Sequence, residues 1–229
     1  MKRSLLIVFV VITLFFGQAQ LQKKLAQFKP VEQESLLYLP SGKYLKLLVL
    51  GYDQVLADLL WIKTIDYFGD HYVTDKEYPW LHHILNLIID LDPLFDFPYF
   101  FGGIVLSLEA SQVDRANQIL ERGIEAYPEK WQFPFYIGFN YYYHQKDAEK
   151  AAPYIEKASS LPGSPAYLKS LAGGLYAKIN KNEAALRFYR EAYRNATDEL
   201  VKEHIEKKIK RILSGIDNYD TGDTDTTSD

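Results

Sequence analysis

The sequence predicts an all-α protein, a solenoid of about four helix pairs closed by a C-terminal capping helix. Three observations predict it. The segments around Leu81, Ala116, Ala151 and Ala185 recur at intervals of 35, 35 and 34 residues, and Ile88, Gly123, Ala158 and Ala192 keep the same intervals seven positions further on. Most of these positions hold Ala or Gly, and antiparallel helices approach closely only where the side chains at the crossing are small. Finally, 48% of the 229 residues are hydrophobic, enough for one substantial core that the repeat distributes over helices which must stack to bury an apolar face.

The elements follow in chain order. Lys2-Arg3, the apolar run Leu5 to Phe16, and Gly17-Gln18-Ala19 have the order of a secretory signal. The same stretch, counted as Ser4 to Leu21, approaches the ~20 residues that span a bilayer, so residues 1–21 read as a signal peptide or a membrane anchor. The anchor is favoured because Leu21 to Pro30 suits a polar juxtamembrane segment, and Lys2 and Arg3 would hold the N-terminus inside. Residues 22–50 are expected to form a linker and a partly extended lid, with a turn at Pro40 and Gly42. Ala57 to Phe68 has helical apolar spacing and opens the repeat domain, set at 51–214; an insertion, Gly69 to Glu77, follows it.

Asp96-Phe97-Pro98 and Ser164-Pro165 mark the starts of first helices, where proline is tolerated. His144 to Asp147 and Asn180 to Asn182 are polar turns inside pairs. Gly102, Gly103, Gly173 and Gly174 fall where helices should pack. Asp198 to Leu213 places its acids early and its bases late, which suits the helix macrodipole, and carries one apolar stripe of Val201, Ile205, Ile209 and Ile212. Such a helix caps a solenoid. The tail, 215–229, has five aspartates and no base, and reads as disordered.

With its closing prolines at Pro93 and Pro128, the period resembles the tetratricopeptide repeat, a helix–turn–helix unit of about 34 residues. Trp61 and Phe68 match that family's spacing of seven. The resemblance covers roughly residues 77–196 and implies a right-handed solenoid that holds a protein partner on the concave face made by the first helices. Leu81 and Ile88 depart from the small residues of the pattern. The block Leu36 to Gly69 also resembles the leader of repeat proteins from bacterial cell envelopes.

Composition excludes several functions. Without the tail's five aspartates the chain has 26 basic and 25 acidic residues, and lacks the basic patch that nucleic acid requires. There is no cysteine, hence no disulfide or thiolate metal site. No HExxH, GxSxG, P-loop or GxGxxG pattern occurs. The adjacent His82 and His83 diverge on a helix, as do Asp53 and Asp58, here taken as a helix-start residue and a buried or capping group. No catalytic, cofactor or metal residues are assigned, and an enzyme is not expected.

The aromatic residues point to binding instead. Trp131, Phe133, Phe135, Tyr136, Phe139, Tyr141, Tyr142 and Tyr143 surround one helix, more rings than a thin solenoid buries on its two or three covered faces. Burial under neighbouring units is the competing fate for them. Carrying the family's concave register onto the chain nominates Phe133, Tyr136, Asn140, Tyr143 and His144 from one unit, and Tyr167, Ser170, Gly174 and Lys178 from the next. The resulting expectation is an exported or membrane-anchored scaffold in the cell envelope, binding a protein segment during assembly of a pilus, secretion or polymer-export complex. It would be held to the membrane by its N-terminal segment, or lie free in the periplasm if that segment is cleaved. The alternative is a purely structural subunit whose groove is filled by its own residues 30–50.

Overall fold

In the computed structural model the described residues are 39, 40 and 42–215; the expected leader or anchor, the first part of the lid and the tail from 216 lie outside them. The chain divides after Pro40, and every described helix belongs to the second unit. Ten helices, and no strand among the described residues, make it up. A short α1 (Gly42–Leu48) precedes four pairs: α2 (Asp53–Tyr72) with α3 (Leu81–Leu91), α4 (Phe97–Leu108) with α5 (Val113–Ala126), α6 (Gln132–Tyr143) with α7 (Ala148–Ser160), and α8 (Tyr167–Lys178) with α9 (Asn182–Asn195). The cap, α10 (Glu199–Leu213), packs on α9. The all-helical repeat architecture is therefore present, with the expected number of pairs.

The small-residue register is the cause of the pairing. Gly103, Gly138 and Gly173 stand 35 residues apart on the three later first helices. A Cβ added at each would lie 2.4 Å from Leu120, 2.7 Å from Ile155 and 3.0 Å from Tyr189, so each helix rests directly on a large side chain of its partner. On the second helices Ala116, Ala151 and Ala185 are fully buried at the same crossings. The fully buried Leu81 and Ile88 occupy these positions in the first pair.

The turns inside the pairs repeat as faithfully. Lys76, Ser111, Lys146 and Asn180 adopt left-handed backbone with φ of 58°, 54°, 55° and 58°, at the same intervals of 35, 35 and 34 residues. In three of these turns the next amide folds back onto the ending helix: Gln112 N–H to Leu106 C=O, Asp147 N–H to Tyr141 C=O, and Lys181 N–H to Tyr176 C=O. These bonds satisfy carbonyls that a helix end leaves orphaned. Asp147 then starts α7 by accepting the Lys150 N–H at 2.9 Å.

Two cores result. An aromatic one runs through the first three pairs, around Tyr67, Tyr78, Leu85, Tyr99, Leu120 and Phe133. An alanine-rich one joins α7 to α10 around Ala151, Ala172, Ala185, Phe188 and Ile205. Polar links span successive repeats, among them Arg122 to Asn86 (2.6 Å) and Asp90 (2.5 Å), and Lys130 to Asp96 (2.5 Å).

The two ends differ. Asp198 caps α10 through the N–H groups of Leu200 and Val201, Ile205 is buried against the core, and Gly215 ends the helix with φ +66°. Val201, expected in the apolar stripe, is exposed. At the other end residues 42–48 of the expected lid are helical, because Leu45 and Gly42 seat α1 on α3; a Cβ on Gly42 would meet Asp90 at 2.2 Å. Asp58 is exposed rather than buried or capping.

Candidate functional site

The residues nominated from the concave register separate into three places. Phe133 and Asn140 belong to the core, with 0% and 1% of their surface exposed. Phe133 stacks on Phe100 at 4.4 Å and lies over Gly123, while Asn140 donates to Asn117 Oδ1 at 2.8 Å. Neither can touch a partner, and the groove assignment is corrected accordingly. Tyr136 is half-buried with its ring edge against Phe135.

The reason lies in the register itself. Shifted by 35 residues, Phe133, Ile137 and Asn140 coincide with Leu168, Ala172 and Leu175 of α8, all buried. Phe133 and Asn140 therefore lie on the stripe of α6 that packs between repeats, whereas Tyr143 lies on the accessible one. Tyr167, Ser170, Gly174 and Lys178 instead coincide with Gln132, Phe135, Phe139 and Tyr143, none of which is buried.

On that accessible face α6 carries a ladder of four rings at i, i+4 spacing. Trp131 meets Phe135 edge-on at 5.9 Å, Phe135 and Phe139 are tilted at 6.4 Å, and Phe139 stacks on Tyr143 at 5.1 Å and 10°. Trp131, Phe135 and Phe139 are half-buried, and Tyr143 is exposed. The fourfold spacing in the sequence was the available signal for this ladder. The corresponding positions of α8 are Ala166, Ser170, Gly174 and Lys178, three of them small. Phe135 leans on the C-terminal core, and exposure along the ladder is greatest at Tyr143.

Cations gather at the end of the ladder where α6 finishes. Lys146 Nζ lies 5.1 Å from the Tyr143 ring and Lys178 Nζ 4.9 Å from the Tyr142 ring. His144, the C-cap of α6, meets Tyr143 edge-on at 5.0 Å and also lines a polar recess with Gln112, Asp114 and Arg115. Tyr167 and Ser170 line a second recess of about 510 Å³ toward the C-terminal end, walled by Ala192, Asn195, Leu200 and Val201. Mostly apolar side chains, few charges and exposed rings suit contact with an extended or helical segment.

Titration is perturbed away from this face. Burial pushes the Tyr99 hydroxyl up to about 12. Burial, reinforced by the hydrogen bond to Glu156, does the same to Tyr176. Burial lowers His82, which the Asn86 amide contacts at 3.1 Å. Among the described residues no group of three His, Asp or Glu side chains converges as metal ligands would, and none of the described helices is long and apolar enough to cross a membrane.

No protein-family profile matches the sequence. Comparison with curated proteins finds no match. Among solved structures the chain is similar to one described as the crystal structure of MamA protein, at 13% identity and a TM-score of 0.43, over 72% of this chain and 92% of that one.

Proposed function

We propose that this chain is a tetratricopeptide-like scaffold of the bacterial cell envelope, whose first-helix face over α6 and α8 holds a segment of a protein partner during assembly of an envelope complex. The observation that carries the reading is the partly exposed ring ladder Trp131, Phe135, Phe139 and Tyr143, whose equivalents one repeat on include the small residues Ala166, Ser170 and Gly174. Aromatic rings supply large contact area for little lost rotamer entropy, and small residues at the equivalent positions of α8 leave room for a bound backbone. Residues 42–48 of the lid pack on the second helix α3 and not on this face, so that this helix does not fill the groove. The leader at 1–21 supplies the proposed envelope location, as an anchor or a cleaved signal.

The test uses the full chain extracted from native membranes. Phe139→Ala combined with Tyr143→Ala removes two half-exposed to exposed rings and should abolish partner capture while the helical circular-dichroism signal and its melt stay in place. Capture that survives the double change places the binding face elsewhere.

A further inference from the structure

Helix α2 has two apolar faces, and among the described residues only one is covered. Ala57, Leu60, Thr64, Tyr67 and His71 are buried against the rest of the repeat domain. On the opposite side Val55, Leu59, Ile62, Asp66, Gly69 and Val73 follow one another at steps of four and three residues, and all are exposed. Tyr52, Ile65 and Tyr72 flank this stripe and are exposed as well. A 4-3-4-3 stripe is the seam by which one helix packs along another. Terminal repeats of a solenoid ordinarily turn a polar face outward. The cap α10 does so, with Glu203, Glu206, Lys207 and Lys210 exposed in i, i+4 pairs; α2 does not.

We infer that the outer face of α2 pairs with the same face of a second copy of this chain, the two helices running antiparallel about a two-fold axis between Leu59 and Ile62. In that register Leu59 of each copy faces Ile62 of the other, and Tyr52 faces Gly69. The position of Gly69 has nothing within 4 Å of where a Cβ would be, so a tyrosine ring fits over it. Val55 faces Asp66 in the layer between these two contacts, so that each copy's carboxylate meets an apolar side chain and not its own counterpart. A parallel arrangement would set Asp66 against its own copy inside the seam, where like charges repel. The exposed apolar side chains from Leu48 to Val73 present on the order of 800 Å² per chain, the share each partner contributes to a standard specific interface.

The charges on the face point away from a lipid surface. Asp58, Asp66 and Asp70 accompany Lys63 on or beside this stripe, whereas helices that lie on anionic membranes are lined with Lys and Arg. The inference is independent of the proposed groove, since α2 and the α6 ladder share no residue.

The test uses the full chain in mild detergent. Sedimentation should give a dimer at micromolar concentration, and Ile62→Asp should leave a folded monomer with an intact helical circular-dichroism signal, because Ile62 is 57% exposed. The chain has no cysteine, so the register can be read directly. A mixture of Leu59→Cys chains with Ile62→Cys chains should oxidise to covalent heterodimers in several-fold greater yield than either variant alone. A monomer at every concentration overturns the pairing. So does a dimer indifferent to Ile62→Asp, a heterodimer yield no better than the single variants, or a monomer whose face instead retains lipid or another protein until Ile62→Asp releases it.

Discussion

Gly138→Ala should destabilise the protein, and Gly174→Ala, on the equivalent helix one repeat on but one position past the crossing glycine Gly173, should stabilise it. Alanine in a helix interior is worth ~1 kcal/mol over glycine, so propensity alone favours both changes. Packing separates them. At Gly138 the new Cβ would lie 2.7 and 2.8 Å from Ile155 Cδ1 and Cγ1 and 3.2 Å from the Ala151 carbonyl oxygen. Ile155 is buried and β-branched, so it has few rotamers to escape into, and the carbonyl belongs to the backbone of the partner helix. Relief requires α6 and α7 to move apart, and overpacking of this kind costs ~1–3 kcal/mol. The net effect is a loss of up to ~2 kcal/mol, or roughly 2–4 °C of melting temperature per kcal/mol in a domain of this size. At Gly174 the nearest atom is the Tyr189 hydroxyl oxygen at 3.5 Å, an ordinary contact, and the propensity gain should survive. Thermal melts followed by circular dichroism read both. Ile155→Ala should cost 2–5 kcal/mol alone but be less than additive with Gly138→Ala, because the cavity accepts the new methyl. Equal signs for the two glycine variants, or strict additivity with Ile155→Ala, would refute the crossing geometry.

Asn140→Ala should lower stability by ~1–3 kcal/mol, since it leaves the buried Asn117 amide without its partner, and Asn117→Ala added to it should cost less than the sum of the single changes. Chemical denaturation measures both. At alkaline pH the folded chain should lose stability between pH 10 and about 12: Tyr99 and Tyr176 keep their protons up to about 12 when folded but release them near the ordinary value of 10 when unfolded. Their contribution is therefore whole below pH 10 and gone above about 12, and Tyr99→Phe should flatten the part of the slope that tyrosinate absorbance assigns to this residue.

The repeat was legible in the sequence because its cause is local and periodic. Small residues at a fixed interval are what helix crossings demand, and the same interval governs the left-handed turn residues Lys76, Ser111, Lys146 and Asn180. None of those four is a glycine, so the turns at Lys146 and Asn180 were recognisable by polarity but their backbone was not, and the one at Ser111 carried no signal. The groove was less legible. Around α6 nearly every position is aromatic or apolar, so the amphipathic contrast that identifies a buried face was missing, and the stripe through Phe133 and Asn140 looked as available as its neighbour. The alignment with α8 resolves it, since Leu168, Ala172 and Leu175 mark the buried stripe unambiguously.

The same reasoning explains the contrast between the two ends. A solenoid gains its stability from stacking, so the outer face of its last helix has no neighbour and must be made soluble by its own residues or be covered. At α10 the sequence provides the charges, in pairs such as Lys207 with Glu203 and Lys210 with Glu206, and the exposed helix needs nothing further. At α2 it provides Val55, Leu59 and Ile62 at seam spacing, although Asp58, Asp66 and Asp70 show that charge is tolerated within a residue or a turn of each. Apolar residues kept in register beside tolerated charges indicate a face with a contact to make, and that contact lies a full repeat or more from the ring ladder of α6. One surface can therefore join copies of the chain while the other stays open to a partner.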